Sequence, residues 1–191
     1  MTSLCGMKEK IYNFPNALTL LRMILVGVMW LFFFQHQNVI IGVVLAISLF
    51  TDFLDGFLAR KLRQETKFGA KFDSLADNIQ GISIIIWTPF LLKEMFFNNL
   101  AIISVAMSIA VASWLFAAIK FKRNPEFHLI SNKIAMCVIG LFIVHALIFT
   151  YNQIFLYVAV VVGIATSAEE ILITSTHEEI DENIKTFFQK N

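Results

Sequence analysis

Residues 52–77 read DFLDGFLARKLRQETKFGAKFDSLAD, and they place four aspartates on two adjacent apolar stretches: Asp52, Asp55, Asp73 and Asp77. An ionised carboxylate within a membrane segment is costly, so such residues are rare there and usually functional. The first two are three residues apart and the last two are four apart, so each pair shares one face of a helix. Clustered carboxylates repel one another unless cations neutralise them, and hard divalent ions prefer oxygen ligands. The stretch therefore predicts a metal site carried by two neighbouring helices.

The composition predicts an integral membrane protein. Of the 191 residues, 58% are hydrophobic and 15% are charged, whereas about 25% of the residues in an ordinary soluble domain are charged. Six apolar runs are long enough for membrane helices, at about Ala17–Phe34, Val39–Ala59, Gly69–Leu92, Leu100–Ile119, Ile134–Phe149 and Ile154–Ile173. We therefore expect an all-α, polytopic fold with six transmembrane helices, in which residues 17–174 form a single membrane domain.

Both ends of the chain are predicted to lie outside the spans. Residues 1–16 are too polar for the apolar region of a signal peptide. Their apolar residues Met7, Ile11 and Phe14 follow helical spacing beside two lysines, which favours a short helix in the headgroup region. Residues 175–191 form an acidic tail with an apolar stripe, which fits either a second interfacial helix or a solvated end.

Basic residues occur in alternate gaps between the spans. They lie before span one, between spans two and three, and between spans four and five: Lys8, Lys10, Arg60, Lys61, Arg63, Lys67, Lys120, Lys122, Arg123 and Lys133. Residues 35–38 and 150–153 contain no Lys or Arg, and Lys93 in the remaining gap is offset by Glu94. By the positive-inside rule, both termini and all four aspartates are predicted to lie at the cytoplasmic face.

No feature of the sequence favours binding to nucleic acid.

Small residues accompany the aspartates at helical spacing. Gly56 and Ala59 each follow an aspartate by one turn, and Gly69 precedes Asp73 by one turn. They leave room for a flat ligand, with close packing of membrane helices as the alternative explanation. Arg60 carries a fork of donors that suits a phosphate, and its alternative is a helix-end cation that reaches toward the interface.

The pattern D-x2-D-G-x2-A-R-x8-G-x3-D-x3-D resembles the signature of the CDP-alcohol phosphotransferase (CDP-alcohol phosphatidyltransferase) family, and all eight fixed positions match. The resemblance implies transfer of a phosphatidyl group from CDP-diacylglycerol to a small alcohol, with release of CMP, in phospholipid biosynthesis. It implies two Mg2+ or Mn2+ ions bound by Asp52, Asp55, Asp73 and Asp77, with Asp77 also deprotonating the acceptor hydroxyl. It further implies a homodimer and a nucleotide pocket lined by Gly56, Ala59, Arg60 and Gly69.

Two segments bear on the identity of the acceptor. Residues 13–22, NFPNALTLLR, resemble the start of phosphatidylglycerophosphate synthases, which favours glycerol 3-phosphate, and Asn16 is predicted to be an N-cap. A phosphorylated acceptor needs cations, and the candidates are Lys120, Lys122, Arg123 and Lys133, with the positive-inside bias as the alternative. Those synthases show Gly-Lys-x-Lys-Thr where residues 132–136 read NKIAM. Inositol phosphate, inositol, serine and a lipid alcohol therefore stay open.

Two further questions are the role of Glu169 and Glu170 and whether the protein is a transporter. The two glutamates lie near the end of span six and are candidate contacts for an amino or polyol acceptor, although a helix-end role is favoured. A cation transporter would also carry carboxylates within the membrane. Its acidic residues would be spread through the membrane depth, whereas the four aspartates here cluster at one face. The sequence therefore favours the transferase.

Overall fold

The structure, a computed structural model, describes residues 14–62, 66–121 and 130–176. In these ranges it contains seven α-helices: α1 (Phe14–Phe34), α2 (Asn38–Leu62), α3 (Lys67–Leu91), α4 (Lys93–Asn98), α5 (Leu100–Phe121), α6 (Ile130–Ile148) and α7 (Gln153–Thr176). The chain divides into an N-terminal unit, residues 1–91, and a C-terminal unit, residues 92–191. The predicted all-α fold is confirmed, while the interfacial segment predicted at the N-terminus, apart from Phe14, and most of the acidic tail lie outside the described residues.

Helix α1 is central to the N-terminal unit, because it packs against both α2 and α3. Its buried apolar side chains meet those of the other two helices in a core whose members are at most 3% exposed: Val26, Met29, Ile41, Leu45, Ala76 and Trp87. Because lipid tails are as apolar as these side chains, such a core is stabilised in a membrane mainly by close van der Waals packing. A residue on the buried face of α1 is therefore positioned to reach both other helices.

A tight turn joins α1 to α2. His36 has a φ of 55°, a left-handed conformation that costs a non-glycine residue free energy. Its N–H donates to Phe33 O at 3.1 Å, and Gln37 N–H donates to Phe32 O at 3.1 Å. These two bonds satisfy carbonyls that the end of a helix otherwise leaves unpaired, in the Schellman arrangement. The turn thus holds α1 and α2 close together with only three residues between them.

Four aromatic side chains, here called the aromatic cluster, join the far ends of α1 and α3: Trp30, Phe33, Trp87 and Phe90. The ring centroids of Trp30 and Trp87 lie 5.3 Å apart, and those of Phe33 and Phe90 lie 6.0 Å apart. Trp30 Nε1 donates to Ser83 Oγ at 3.0 Å. Edge-to-face pairs of this kind stabilise beyond their buried area, so this end of the unit is firmly held.

In the C-terminal unit, α7 packs against both α5 and α6. Asn152 caps its start, since its Oδ1 accepts from Ile154 N–H at 2.9 Å and from Phe155 N–H at 3.1 Å. Beside the cap, the Gln153 Nε2 group donates to Asn99 Oδ1 at 2.5 Å. Polar side chains therefore fix the start of α7.

Four of the helices are long and apolar enough to cross a membrane: α1 from Asn16, α5, α6 and α7. Large apolar side chains point away from the protein interior, as shown by Phe34, Ile119, Phe149 and Ile154, each more than 70% exposed. In α2 the apolar part is shorter, Asn38–Leu54. This outward apolar surface is what a lipid environment requires, so the chain is a membrane protein.

Two local features differ from the predictions. Asn16 is not an N-cap, because α1 begins at Phe14 and Asn16 lies inside its first turn. The gap after the third span, for which no helix was predicted, contains the short helix α4, which has Glu94 in its first turn and buries Met95. An acidic residue at a helix start is favourable, but six residues are too few for their periodicity to be recognised.

Candidate functional site

Three of the four predicted aspartates come together in the N-terminal unit. Asp52 is on α2, while Asp73 and Asp77 lie one turn apart on α3. Each offers a carboxylate oxygen, and the three oxygens lie within 4.8 Å of one another. We call these three residues the aspartate cluster. Asp55 lies on α2 as well, but its side chain is outside the part of the chain that the structure describes.

Arg22 of α1 binds all three members of the aspartate cluster. Its Nη2 lies 2.7 Å from Asp52 Oδ1 and 3.1 Å from Asp73 Oδ1. Its Nη1 donates to Asp77 Oδ1 at 2.5 Å. The arginine side chain is fully buried, whereas the three aspartate side chains are 38–43% exposed. The carboxylates thus have arginine on their buried side and remain accessible from the other.

Sequence reasoning missed Arg22 as a member of the site. The signal was present, because polar residues occur at three-residue spacing in the apolar helix α1: Asn16, Thr19 and Arg22, all at most 9% exposed. Residues three apart share a helix face, and a buried arginine is costly unless anions pair with it. Which anions would do so could not be read from α1 alone, since they lie on two other helices.

A buried hydrogen bond joins α2 and α3 beside the aspartate cluster. Ser48 Oγ donates to Gln80 Oε1 at 2.5 Å, and both residues are buried. Ser48 precedes Asp52 by four residues and Gln80 follows Asp77 by three, so each lies on the same helix face as its aspartate. A satisfied buried polar contact of this kind rigidifies the packing around it. It therefore fixes how the two carboxylate-bearing faces meet.

Gly69 lies where α3 approaches the start of α1. A Cβ atom at this position would be 2.6 Å from Asn16 Oδ1 and 2.9 Å from Thr66 Oγ1. Thr66 caps α3, because its Oγ1 accepts from Gly69 N–H at 2.9 Å. Close packing, the alternative considered for this glycine, thus has a definite structural basis.

The other predicted site residues are placed only in part. Gly56, Ala59 and Arg60 belong to the last turns of α2, but their side chains lie outside the described part of the chain. Lys122 and Arg123 also fall outside the described residues. Lys133 is exposed in the first turn of α6.

Glu170 joins the three long helices of the C-terminal unit. Its Oε2 accepts from Ser113 of α5 at 2.7 Å, and its Oε1 accepts from Asn132 of α6 at 2.8 Å. One turn further on, Lys120 Nζ donates to Thr174 O at 2.6 Å, at the end of α7. A cation at a helix C-terminus is favourable. Both charged residues therefore hold helices together in this unit, whatever else they contact.

The donor set of the aspartate cluster fits a hard divalent cation. Mg2+ binds carboxylate oxygens and keeps several waters. Three carboxylates with converging oxygens and about 40% exposure offer both the ligands and the access that such an ion needs. Thiol and imidazole groups, which softer metals prefer, are not part of the cluster.

The chain is similar to several known enzymes that share one name. The chain is 35% identical over 115 residues to the CDP-diacylglycerol–glycerol-3-phosphate 3-phosphatidyltransferase of Aquifex aeolicus, which is 60% of this chain and 64% of that protein. It is 41% identical over 70 residues to the enzyme of the same name from Pseudomonas fluorescens, covering 35% and 36% of the two chains. The enzyme of the same name from Salmonella choleraesuis is 38% identical over 71 residues, which cover 36% of this chain and 39% of that protein. The matches thus span from about a third to just under two thirds of these relatives.

The family assignment rests on a longer match. The sequence pattern of CDP-alcohol phosphatidyltransferases matches residues 12–165. That range contains α1 to α6, the start of α7, Arg22 and all of the aspartate cluster. The chain belongs to the CDP-alcohol phosphatidyltransferase family.

Proposed function

We propose that the protein is a metal-dependent enzyme that transfers the phosphatidyl group of CDP-diacylglycerol to glycerol 3-phosphate and releases CMP. The observation that carries the proposal is the convergence of Asp52, Asp73 and Asp77 from two helices in a member of this family. The names of the relatives support the substrate pair.

In this proposal Asp52, Asp55, Asp73 and Asp77 hold two Mg2+ or Mn2+ ions. Bound cations would neutralise charge on the oxygens of the pyrophosphate as CMP departs. The convergence of three of the four carboxylates within 4.8 Å supports this assignment. Arg22 orients the same carboxylates from the buried side.

Asp77 is proposed to act as the general base. The hydroxyl oxygen of the acceptor attacks the phosphorus of the phosphatidyl group, the bond from that phosphorus to the CMP oxygen breaks, and CMP leaves with the bonding electrons. The acceptor's proton passes to a carboxylate oxygen of Asp77, whose side chain is 38% exposed and thus accessible. The step consumes only the CDP-linked lipid and the alcohol.

Gly56, Ala59, Arg60 and Gly69 are proposed to line the nucleotide pocket. Gly56 and Ala59 would admit the cytidine moiety, and the Arg60 guanidinium would bind phosphate oxygens. Support comes from their positions in the sequence: three lie on α2 four to eight residues after Asp52, and Gly69 lies one turn before Asp73 on α3.

We further propose six transmembrane helices in the membrane domain, residues 17–174, flanked by an interfacial segment and an acidic tail. Helices α2 and α3 have 25 residues each, which corresponds to about 37 Å, more than the roughly 30 Å of hydrocarbon in a bilayer. The alternating basic gaps support cytoplasmic termini and a cytoplasmic active site. A homodimer surrounded by membrane lipids completes the proposal.

Glycerol 3-phosphate is favoured as the acceptor by the relatives' names. Its phosphate would be bound by cations from the start of α6 and the segment before it: Lys122, Arg123 and Lys133. The exposed side chain of Lys133 is accessible for such a contact.

The deciding experiment measures CMP release by the purified protein with CDP-diacylglycerol and Mg2+ or Mn2+. Separate reactions contain glycerol 3-phosphate, inositol phosphate, inositol and serine as acceptors. We expect CMP only with glycerol 3-phosphate, and release with another alcohol would reassign the acceptor. No CMP with any of them would refute the transferase.

The base assignment has its own test. Asp77→Asn is expected to lower turnover by at least about a hundredfold, which is the scale of general base catalysis, while some binding of metal or CMP persists. Glu94→Gln, which neutralises a carboxylate on α4 outside the cluster, is the matched control and should keep full activity. An Asp77→Asn enzyme with near-normal turnover would show that another group takes the proton.

A further inference from the structure

Arg22 carries a permanent positive charge, since guanidinium groups do not lose their proton in proteins. The side chain is fully buried, and its terminal nitrogens contact one oxygen of each aspartate in the cluster at 2.5, 2.7 and 3.1 Å. A guanidinium this close to all three carboxylates is their common counter-ion. The arginine is thus more than a neighbour of the cluster, because it neutralises part of its charge.

A divalent ion bound by the same carboxylates would meet the arginine at short range. One carboxylate oxygen from each aspartate lies within 4.8 Å of the other two, and Mg2+ binds carboxylate oxygens at about 2.0–2.1 Å. Two cations that share ligands this close repel each other strongly, even at the effective dielectric constants found near a protein surface. The metal ion and the arginine are therefore attracted by the same three carboxylates.

We propose that Arg22 is an internal counter-cation that competes with the divalent metal for the aspartate cluster. In the metal-free protein it keeps the three carboxylates together, and it thereby weakens the binding of the metal. The affinity for the metal is then a property of α1 as well as of the aspartates on α2 and α3. The inference rests on the proposed metal site and adds a residue that sets its strength.

Competition between Arg22 and the metal predicts how much bound metal stabilises the folded protein. A ligand stabilises a protein according to its affinity for the folded state, so a cluster without its arginine gains more from metal than the natural one does. Arg22→Gln removes the charge but keeps a polar side chain. It should leave three carboxylates to repel one another when metal is absent, and it should bind metal more tightly.

The experiment measures Mn2+ binding to the purified protein in detergent, together with thermal unfolding in EDTA and in saturating Mg2+. For Arg22→Gln we expect the dissociation constant for Mn2+ to fall by about tenfold or more. We also expect a lower unfolding temperature in EDTA and a larger rise on addition of Mg2+ than for the natural protein. Unchanged or weaker Mn2+ binding by this variant would overturn the proposal.

Two further variants separate charge from geometry. Arg22→Lys keeps the charge but not the fork of donors, so the dissociation constant should stay within about threefold of the natural value, even if Arg22→Gln cannot be purified without metal. Lys71→Gln removes an exposed cation two residues from Asp73, and solvent screening should keep its effect equally small. Tightening of similar size in Arg22→Lys or Lys71→Gln would contradict direct competition.

The outcomes also distinguish this inference from the proposed function. If the natural protein binds no Mn2+, the metal site itself is wrong and the competition fails with it. If the natural protein binds Mn2+ and releases CMP, but Arg22→Gln does not bind Mn2+ more tightly, the competition alone is refuted.

Discussion

Removing the Ser48 hydroxyl tests how the aspartate-bearing helices are held together. In Ser48→Ala, the Gln80 side-chain oxygen loses its donor although Gln80 is only 7% exposed. Leaving a buried acceptor unpaired costs about 1–3 kcal/mol, while hydrogen bonds between membrane helices contribute about 0.6 kcal/mol on average and 1.7 at most. We therefore expect a loss of about 1–2 kcal/mol in the free energy of unfolding.

The double variant Ser48→Ala with Gln80→Leu should recover part of this loss, because no polar atom is then left unpaired. Unfolding in SDS–detergent mixtures, followed by circular dichroism, gives the free energies for the double-mutant cycle. Ser108→Ala is the matched control, since Ser108 is exposed and its hydroxyl donates to the carbonyl of Ser104 in the same helix. It should change stability by less than about 0.5 kcal/mol. Costs for Ser48→Ala and Gln80→Leu that add within about 0.3 kcal/mol would refute the coupling.

Three other substitutions test single features. His36→Gly should stabilise the protein by about 0.5–1 kcal/mol in the same unfolding assay, because glycine adopts the left-handed conformation of this turn without strain; a loss of stability would contradict that account. Gly69→Ala should destabilise by about 1–3 kcal/mol through contact with Asn16, and adding Asn16→Ala should relieve part of the cost; no relief would show that the contact is not responsible. Glu170→Ala should cost about 1–3 kcal/mol by leaving two donors unpaired, without changing the affinity for Mn2+; a changed affinity would give Glu170 a role at the metal.

The sequence predicted the aspartate cluster because helical spacing determines which residues share a face. Asp52 ends one apolar run and Asp73 and Asp77 begin the next, so their meeting followed from a short connection. The bond from Ser48 to Gln80 could not be predicted in the same way, because serine and glutamine in an apolar helix have several local and long-range partners open to them.

The contact of Arg22 on α1 with the aspartate cluster could not be predicted from the sequence for a related reason. Periodicity shows that Arg22 shares a face with Thr19, but it does not show which helices pack against that face. The N-cap prediction for Asn16 failed because a cap residue was chosen by its type, whereas the helix starts two residues earlier, at Phe14. The family resemblance predicted the roles of the carboxylates, and three-dimensional packing was needed to find the arginine that contacts them.

In the six-span arrangement proposed above, the aromatic cluster would lie at the membrane surface opposite the aspartate cluster. Asp73 and Phe90 are 17 residues apart on α3, or about 26 Å along the helix, close to the thickness of bilayer hydrocarbon. Tryptophan side chains favour the interface between lipid and water, so in the six-span arrangement proposed above the half-buried Trp30 would act as an anchor at one surface. Helix α3 then works as a ruler that holds the carboxylates level with the lipid headgroups of the opposite surface. A thicker or thinner bilayer would shift that level or tilt the helix, so membrane thickness itself becomes a determinant of how well the lipid substrate meets the site.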